Sequence, residues 1–598
     1  MKFFASNTGV GRLARGLVLL GACTLPLVGC DKKDDAATSA AGATKVEKTA
    51  LKVSPLLAHV PADSPYVFAN FDPMPRAFMD KMFTKIGPVF EQATKKIQDE
   101  LAKPPVEGEV PSDDQKVVRA LLDELNGKLS SKGLEELGLT LEPLMAIYGV
   151  GFVPVMRLTL KDGAAIKALV SRVEAKAGVK APTAKLGDVE YWTGGDGDVY
   201  VAIALIGNEL VVSAGPMKVK DLVLPVAFGV EKVPSMADGA LLTDINKQYG
   251  FAGFGTGYID GVAISNILMG EGTGLNKKIF DALAVKAADG TGGVPELSVD
   301  CKTEIKGMVA NFPRVVLGYD SFTATEMALS LTLESKTELA RELAALRSNV
   351  PGLTNAPSMP FAFIMGLAID VEKTMAFVTQ KAQAISTTPY KCERLSGLNE
   401  GANGAIAALT TMPIPPFVKM LKGLSIVLKD AKIDMSKGPE GIESAIGYAL
   451  ISATAPEQLL ATAKAMVPPL ASLTVPSDSK PVALTLPPEM PLPPFIKAPH
   501  VALSKDAIIV TVGEGMQAEA TAILSAPPGA DQPLFVIGYD IGKLLQSQIA
   551  NAAPDGTTPE KQAELETMKS ISDFLGSVTV SLHLNEKGIA FKERATFR

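Results

Sequence analysis

The sequence predicts an α+β protein made of two homologous halves, each an antiparallel sheet with helices packed on one face. Short apolar runs that alternate with polar residues indicate strands, and longer segments with apolar residues three and four positions apart indicate helices. The strands come in hairpin pairs with helices inserted between them, which favours antiparallel sheets over a regular βαβ repeat. The same series of patterns occurs twice along the chain of 598 residues, a length that suits more than one domain.

Each half begins with a strand that follows a proline and leads into a helix. In the first half, Tyr66 to Asn70 is the strand and Arg76 to Phe83 lies in the helix. In the second half, Phe361 to Leu367 is the strand, and Asp370 precedes a helix that includes Phe377. The two openings therefore correspond.

A second strand-to-helix unit follows in each half. In the first, Arg157 to Leu160 leads to Asp162 as the N-cap of a helix that Gly178 ends. In the second, Ala449 to Ala453 leads to Thr454 and Glu457, which have the spacing of a capping box. We expect both helices to bury one apolar face.

Hairpins and closing strands complete each half. The predicted hairpins are 199–213 and 501–512, and each is followed by a glycine-containing strand that opens a helix, in 254–261 and 536–542. We expect the glycines to permit close packing of the backbone. Alternating strands then close each half, at 322–333 in the first and at 578–584 and 589–597 in the second. Spacings that drift between copies suit a diverged duplication, and the alternative is two unrelated α+β halves that share common hairpins.

The amino-terminal segment has the composition of an export signal. Lys2, Arg12 and Arg15 precede the apolar run from Gly16 to Leu25, which is shorter than the roughly 20 residues of a membrane span. A retained transmembrane helix is the alternative. The motif Leu27-Val28-Gly29-Cys30 at the end of this segment resembles the lipobox of bacterial lipoproteins.

The resemblance to bacterial lipoproteins implies cleavage before Cys30 and a diacylglycerol group on its sulfur. Residues 1–29 are then the signal peptide, residues 30–50 a lipidated flexible tether, and residues 51–348 and 349–598 the two repeats. The body resembles uncharacterised two-repeat periplasmic lipoproteins, a resemblance that implies no chemistry. We expect a protein anchored through Cys30 to a bacterial membrane and facing the periplasm, with the choice of inner or outer membrane left open.

Charge and cysteine content narrow the classes of partner. The chain has 58 Lys and Arg against 65 Asp and Glu, with no run of basic residues, which argues against nucleic acid. After cleavage and lipidation of Cys30, Cys301 and Cys392 remain as the candidate free thiols. Two such thiols in an exported protein predict a disulfide between them.

No motif predicts catalysis, a cofactor or a metal. His59, His500 and His583 lack metal-ligand spacing, and alternation along 578–584 places His583 on a solvated face of its strand. Asp196 and Asp198 look like a calcium loop but suit the tip of a hairpin better. The SxxK spacing from Ser477 falls in a proline-rich loop, without the helix start that such a nucleophile needs.

These observations predict a non-catalytic protein that binds a partner or supports the cell envelope. Mean hydropathy of +0.21 and 21 methionines keep open a carrier of lipid or another hydrophobic molecule. A hydrolase without a recognisable motif is the third hypothesis, because paired carboxylates leave no local signature.

Overall fold

The computed structural model of this protein describes residues 53–102, 112–284, 297–411, 414–433, 441–485, 492–527, 529, 531–551 and 558–598. Its contacts divide these residues into two compact units. The first unit holds the described residues up to 297 together with 314–327, and the second holds 298–313 and 328–598. Both units combine antiparallel sheet with helices, so the predicted α+β class is confirmed. The signal segment, the tether and Cys30 lie outside the described residues.

The first unit is built on an antiparallel sheet. Its strands are β1 (Tyr66–Ala69), β2 (Met145–Val150), β3 (Val153–Thr159), β4 (Thr183–Leu186), β5 (Val189–Asp196), β6 (Val199–Ile206), β7 (Glu209–Pro216), β8 (Thr256–Asp260) and β9 (Arg314–Phe322). Pairing gives the order β4-β5-β6-β7-β3-β2-β1-β8-β9. The first strand of the chain, β1, therefore lies in the interior of the sheet between β2 and β8, and β9 pairs with the other side of β8.

Helices cover this sheet between its strands. They are α1 (Arg76–Ala102), α2 (Asp113–Leu125), α3 (Ser131–Glu136), α4 (Gly163–Ala177), α5 (Lys220–Ala227), α6 (Leu241–Tyr249), α7 (Gly261–Leu268) and α8 (Gly274–Ala284). Helix α4 begins and ends as predicted: the Asp162 carboxylate accepts hydrogen bonds from two backbone N–H groups of the first turn, and Gly178 ends the helix at a φ of 67°.

The core of the first unit lies mainly on one face of its sheet, where Val67, Tyr148 and Val155 pack against α5 and α6. On the opposite face, Ile166 of α4 packs with Ile203 in a smaller cluster. A β carbon added at Gly257 would stand 2.5 Å from the carbonyl oxygen of Val67. The predicted close backbone packing at this glycine-containing strand is confirmed.

The second unit also contains an antiparallel sheet. Its strands are β11 (Phe363–Leu367), β12 (Leu421–Ile433), β13 (Ile442–Ala453), β14 (Val482–Ala483), β15 (His500–Leu503), β16 (Ala507–Val512), β17 (Phe535–Asp540), β18 (Leu575–Asn585) and β19 (Gly588–Phe597), while β10 (Glu326–Glu334) crosses from one unit to the other along the chain. Pairing gives the order β14-β15-β16-β13-β12-β11-β17-β18-β19.

The helices of the second unit are α9 (Val299–Val309), α10 (Thr337–Ala344), α11 (Val371–Thr387), α12 (Ser396–Thr411), α13 (Pro416–Lys419), α14 (Pro456–Met466), α15 (Met516–Leu524), α16 (Ile541–Asn551) and α17 (Pro559–Ser572). The core gathers Ile364, Val427 and Ile509 of the sheet with Met516 and Ile523 of α15. It occupies one face of the sheet.

The predicted capping box at the start of α14 is wrong. Ala455 is the N-cap and Pro456 the first residue of α14, while the Thr454 hydroxyl donates to the carbonyl of Met420 instead. Proline suits the first turn because that position needs no backbone N–H donor. Helix α14 also leaves Met466 69% exposed, so its apolar residues do not form the buried face that their spacing predicts.

The two sheets share a strand order. The central strands of the first unit have the order β7-β3-β2-β1-β8-β9. Those of the second unit have the order β16-β13-β12-β11-β17-β18, and each strand takes the place of the corresponding strand in the first series. A shared order is the arrangement that a duplication predicts.

A buried arginine ties together the core of the first unit. Arg157 of β3 is 1% exposed, and its guanidinium donates to the Tyr148 hydroxyl, the Glu209 carboxylate and the carbonyl of Ala227. Burial, followed by the nearby Arg157 charge, lowers the pKa of His59. Through these three hydrogen bonds, Arg157 joins β2, β7 and the end of α5.

We expect Arg157→Met to lower the free energy of unfolding by about 3 kcal/mol, because it leaves the Glu209 carboxylate and a buried carbonyl without their donor. Urea unfolding followed by circular dichroism measures this change. Lys167→Ala, which breaks an exposed ion pair with Glu190, is the control and should cost less than about 1 kcal/mol. Equal effects of the two substitutions would contradict a structural role for the buried guanidinium.

Candidate functional site

A polar pocket of about 590 Å³ opens at one end of the second unit's sheet. It lies where β11 and β13 end and where β12 and β16 begin. Its lining residues are Arg347, Ser348, Asn349, Asp370, Lys373, Lys422, Ser452, Ala453, Thr454, Asp506, Gly529 and Gln532. Residues from six separate stretches of chain therefore meet at this site.

Asp370 is the central carboxylate of the pocket. It is the N-cap of α11, where its Oδ1 accepts the backbone N–H of Lys373 at 3.1 Å, and its Oδ2 lies 2.6 Å from Nζ of Lys422. The ammonium of Lys373 is 3.8 Å away. Burial raises the pKa of Asp370, but the hydrogen bonds from Lys422 and from the backbone outweigh this effect and hold the pKa below its ordinary value.

Gln532 is hydrogen-bonded to the segment of the pocket that contains Ser348. Its side chain is buried, donating to the carbonyl of Ser348 at 2.9 Å and accepting from the N–H of Val350 at 3.2 Å. The backbone carbonyl of Gln532 accepts a hydrogen bond from Nη1 of Arg347 at 3.2 Å. The Ser348 hydroxyl in turn donates to the carbonyl of Lys422. These bonds hold the segment around Arg347 against the start of β12.

The pocket carries an excess of positive charge. Three cationic side chains, Arg347, Lys373 and Lys422, line it with two acidic ones, Asp370 and Asp506. Lys422 is committed to Asp370, whereas Arg347 has no carboxylate partner among the described residues. A guanidinium with spare donors beside a cavity is suited to binding an anion.

One face of the sheet that ends at this pocket is mainly apolar and half-buried. Residues paired directly across an antiparallel sheet share a face. The pairings place on one face Phe363, Met365 and Leu367 of β11, Leu424, Ile426 and Leu428 of β12, Ile451 of β13, Phe535, Ile537 and Tyr539 of β17, Val578, Val580 and Leu582 of β18, and Phe591 of β19, together with the charged Glu593 of β19 opposite Val580. None of these side chains is buried, whereas their neighbours on the other face, such as Ile364 and Val536, form the core.

This apolar face is large enough to bind something. From Phe363 to Leu367 it extends about 13 Å along the strands, and six strands span about 24 Å, giving an area on the order of 300 Å². Ile451, Tyr539, Val580 and Phe591 are each at least 40% exposed. The largest apolar patch of a typical monomer covers about 300–600 Å² and is often functional, so this face is a candidate binding surface. Leu367, Leu424, Ile451 and Phe535 form the end of the face nearest the pocket residues in sequence.

A second cavity, of about 640 Å³, lies in the first unit between α1 and the end of α2. Its lining consists of helix-surface residues such as Glu91, Lys95 and Asp99. It has no buried charged group comparable to Asp370, so the pocket of the second unit is the stronger candidate.

Cys301 and Cys392 come together at disulfide distance in the second unit, with alpha carbons 4.5 Å apart. The pair joins the first turn of α9 to the segment after α11. Glu304 reinforces this junction, because its carboxylate accepts the backbone N–H groups of Lys391 and Cys392, each at 2.9 Å. These hydrogen bonds lower the pKa of Glu304. Both cysteines are buried, and they serve to hold α9 in place.

The expectation that His583 is solvated is wrong, because its strand face is buried and His583 is 5% exposed. Nε2 of His583 lies 2.9 Å from the Ser581 hydroxyl, and Nδ1 lies 3.2 Å from an Asp531 carboxylate oxygen. Hydrogen bonds from His583 and then Lys592 hold the pKa of Asp531 far below its usual range.

This Ser-His-Asp arrangement has the distances of a catalytic triad but not its setting. Ser581 lies inside β18 between β17 and β19, so the backbone N–H groups around it serve the sheet and provide no oxyanion hole. His583 and its partners therefore act as a polar link between β18 and the segment before β17.

The other motifs from the sequence fall outside the pocket. Asp196 ends β5 and Asp198 lies in the turn before β6, as predicted for a hairpin tip. Ser477 is exposed, and the ammonium of Lys480 pairs with Asp478 rather than with the serine.

Within the described ranges, no cluster of His, Cys, Asp or Glu could hold a metal ion. No helix in that part of the chain is long and apolar enough to cross a membrane.

Sequence reasoning identified Asp370 only as the junction between a strand and a helix. It did not identify Arg347, Lys422 or Gln532. The one available signal was the aspartate just before an amphipathic helix, which indicates an N-cap and not a charged pocket.

Comparison with protein-family models, curated proteins and solved structures finds no match for this chain.

We expect Asp370→Asn to lower the free energy of unfolding at pH 7 by roughly 2 kcal/mol, because asparagine retains the N-cap but loses the ion pair with Lys422. A carboxyl with a lowered pKa stabilises the fold above its unfolded pKa of about 3.9, and this stabilisation is lost as the pH falls through the folded pKa. The difference between the two proteins should therefore stay constant above about pH 5 and shrink as the pH falls from there to about pH 3. Urea unfolding across this range measures it, and a difference that stays constant with pH would rule out the ion pair as the cause.

Proposed function

We propose that this protein is a lipid-anchored protein of the bacterial cell envelope that binds an amphiphile without transforming it. The envelope location is supported by the resemblance of Leu27-Val28-Gly29-Cys30 to a lipobox, which implies a body facing the periplasm. In this role the protein binds and carries a lipid or another hydrophobic molecule and catalyses no reaction.

The observation that supports amphiphile binding is the apolar face of the second unit's sheet, which ends at a charged pocket. A hydrocarbon chain on the face would remove half-exposed side chains such as Ile451 and Val580 from water. A polar group at the end of that chain would enter the pocket beside Lys373 and Arg347. The roughly 13 Å from Phe363 to Leu367 suits a chain of roughly ten to twelve carbons.

The hydrogen bonding of the pocket supports binding over catalysis. The Ser348 hydroxyl donates to the carbonyl of Lys422, and the Ser452 hydroxyl donates to the carbonyls of Asn349 and Asp506. Both hydroxyls are therefore paired with carbonyl oxygens rather than with a base that could activate them. Asp370 is likewise committed to its helix and to Lys422.

We also propose that the two units arose by duplication of one α+β ancestor. The shared strand order supports this origin. In the first unit, α4 packs on the corresponding side of the sheet, against β3, β6 and β7.

We expect protein purified without detergent to bind dodecanol, and the double substitution Ile451→Glu with Val580→Glu to weaken this binding more than tenfold. Both side chains are more than 40% exposed, so glutamate there should leave the fold intact while placing charge where hydrocarbon binds. Native mass spectrometry and displacement of a fluorescent fatty-acid analogue measure the effect.

Val299→Glu is the matched control, since Val299 is an apolar residue 81% exposed on α9 and outside the apolar face. It should bind dodecanol like the original protein. The proposal fails if the original protein takes up no dodecanol, or if the control and the double variant lose binding equally.

We expect Cys30→Ser to move the protein from the membrane fraction to the soluble fraction, because each buried methylene of the attached lipid contributes about 0.8 kcal/mol to anchoring. Fractionation of cells and the mass of the mature amino-terminal peptide measure this shift. Cys23→Ser is the control, since Cys23 lies before the cleavage point that the lipobox implies. Retention of the Cys30 variant in the membrane would show that anchoring has another origin.

A further inference from the structure

We propose that the pocket of the second unit binds an anionic head group, a carboxylate or a phosphate monoester, and that Arg347 is the residue that selects it. This inference rests on the proposed function, because it names the class of amphiphile that the same site accepts. It makes the protein a receptor for single-chain anionic amphiphiles rather than for neutral or cationic ones.

The side chains that line the pocket carry more positive than negative charge. Of the two carboxylates, Asp370 is neutralised by Lys422 at 2.6 Å, and Asp506 is 53% exposed with Lys505 at 3.9 Å. Lys373 stands 3.8 Å from Asp370 with its side chain 59% exposed, and Arg347 has no carboxylate partner in the described residues. Two cations therefore remain able to bind an added anion.

A hydrogen bond to the backbone of Gln532 orients Arg347. One of its guanidinium nitrogens donates to the carbonyl of Gln532 at 3.2 Å, and Gln532 is itself fixed by two hydrogen bonds through its buried side chain. An arginine has five N–H donors in a planar fork. One bond to a rigid carbonyl orients this fork and leaves donors for the two oxygens of a carboxylate or a phosphate.

Arg347 lies at the end of the sheet where the apolar face also ends. Arg347 lies in the segment that bridges to Ile369, two residues past the end of β11, and Asp370 follows at the start of α11. The apolar face ends on the same strand at Leu367. A chain lying on the face would therefore present its terminal group to the charged end of the sheet.

Binding of compounds with the same dodecyl chain and different head groups tests the inference. Isothermal titration at low concentrations compares dodecyl phosphate, dodecanoate, dodecanol and dodecyltrimethylammonium on the original protein. We expect the two anions to bind at least tenfold more tightly than dodecanol, and the cation to bind more weakly than dodecanol. Arg347→Ala should abolish the preference for anions, so that dodecyl phosphate and dodecanoate bind this variant no more tightly than dodecanol does.

Two further variants make this result specific. Arg347→Lys keeps the charge without the fork and should retain only part of the preference. Arg341→Ala removes an exposed arginine of α10 that does not line the pocket, and should behave like the original protein. Thermal melting confirms that each variant is folded, and if Arg347→Ala does not fold, Arg347→Lys carries the test.

The outcomes separate this inference from the proposed function. Binding of all four compounds with equal affinity, or an anion preference unchanged in both Arg347 variants, would overturn the head-group inference and leave amphiphile binding intact. Absence of binding by every dodecyl compound would overturn both. Inorganic phosphate that binds as tightly as dodecyl phosphate, and loses affinity in Arg347→Ala, would support the anion site and overturn its use for an amphiphile.

Discussion

The second unit depends on one carboxylate at the end of a strand. Asp370 lies three residues after the end of β11, caps α11 and pairs with Lys422 near the start of β12, so a single side chain joins a helix to a strand. Because the helix N-terminus and the ammonium both favour its charged form, the carboxylate is held against the cost of burial. The same arrangement removes one negative charge from the pocket and leaves Lys373 and Arg347 as the groups able to receive a ligand.

The two faces of the second sheet have opposite roles although both are apolar. Ile364, Val427 and Ile509 pack against α15 in the core. The residues that alternate with them along the strands, such as Met365 and Ile426, are half-buried. An ordinary antiparallel sheet with one solvated face would place polar residues there. Retaining apolar residues on such a face costs solubility, and this cost is expected where the face has a ligand or partner.

Local signals in the sequence predicted the elements well because helices and hairpins are determined over a few residues. Asp162 and Gly178 mark the ends of α4, and the Gly207-Asn208 turn fixes the register of β6 with β7. Burial was harder to predict: alternation placed His583 on one side of β18, but only tertiary packing decides which side is covered. The pocket had no local signature, since Arg347 and Gln532 are separated by 185 residues and meet only in the fold.

The disulfide between Cys301 and Cys392 limits how proteolysis can separate the two units. The loop that it closes spans 91 residues and encloses β9, a strand that pairs with β8 in the first unit. Neither unit is one continuous stretch of polypeptide, because within the described residues the chain passes between them after residues 297, 313 and 327. No single cut by a protease can release both units whole. Because the disulfide closes the loop from Cys301 to Cys392, a single cut within this loop leaves the two fragments covalently joined.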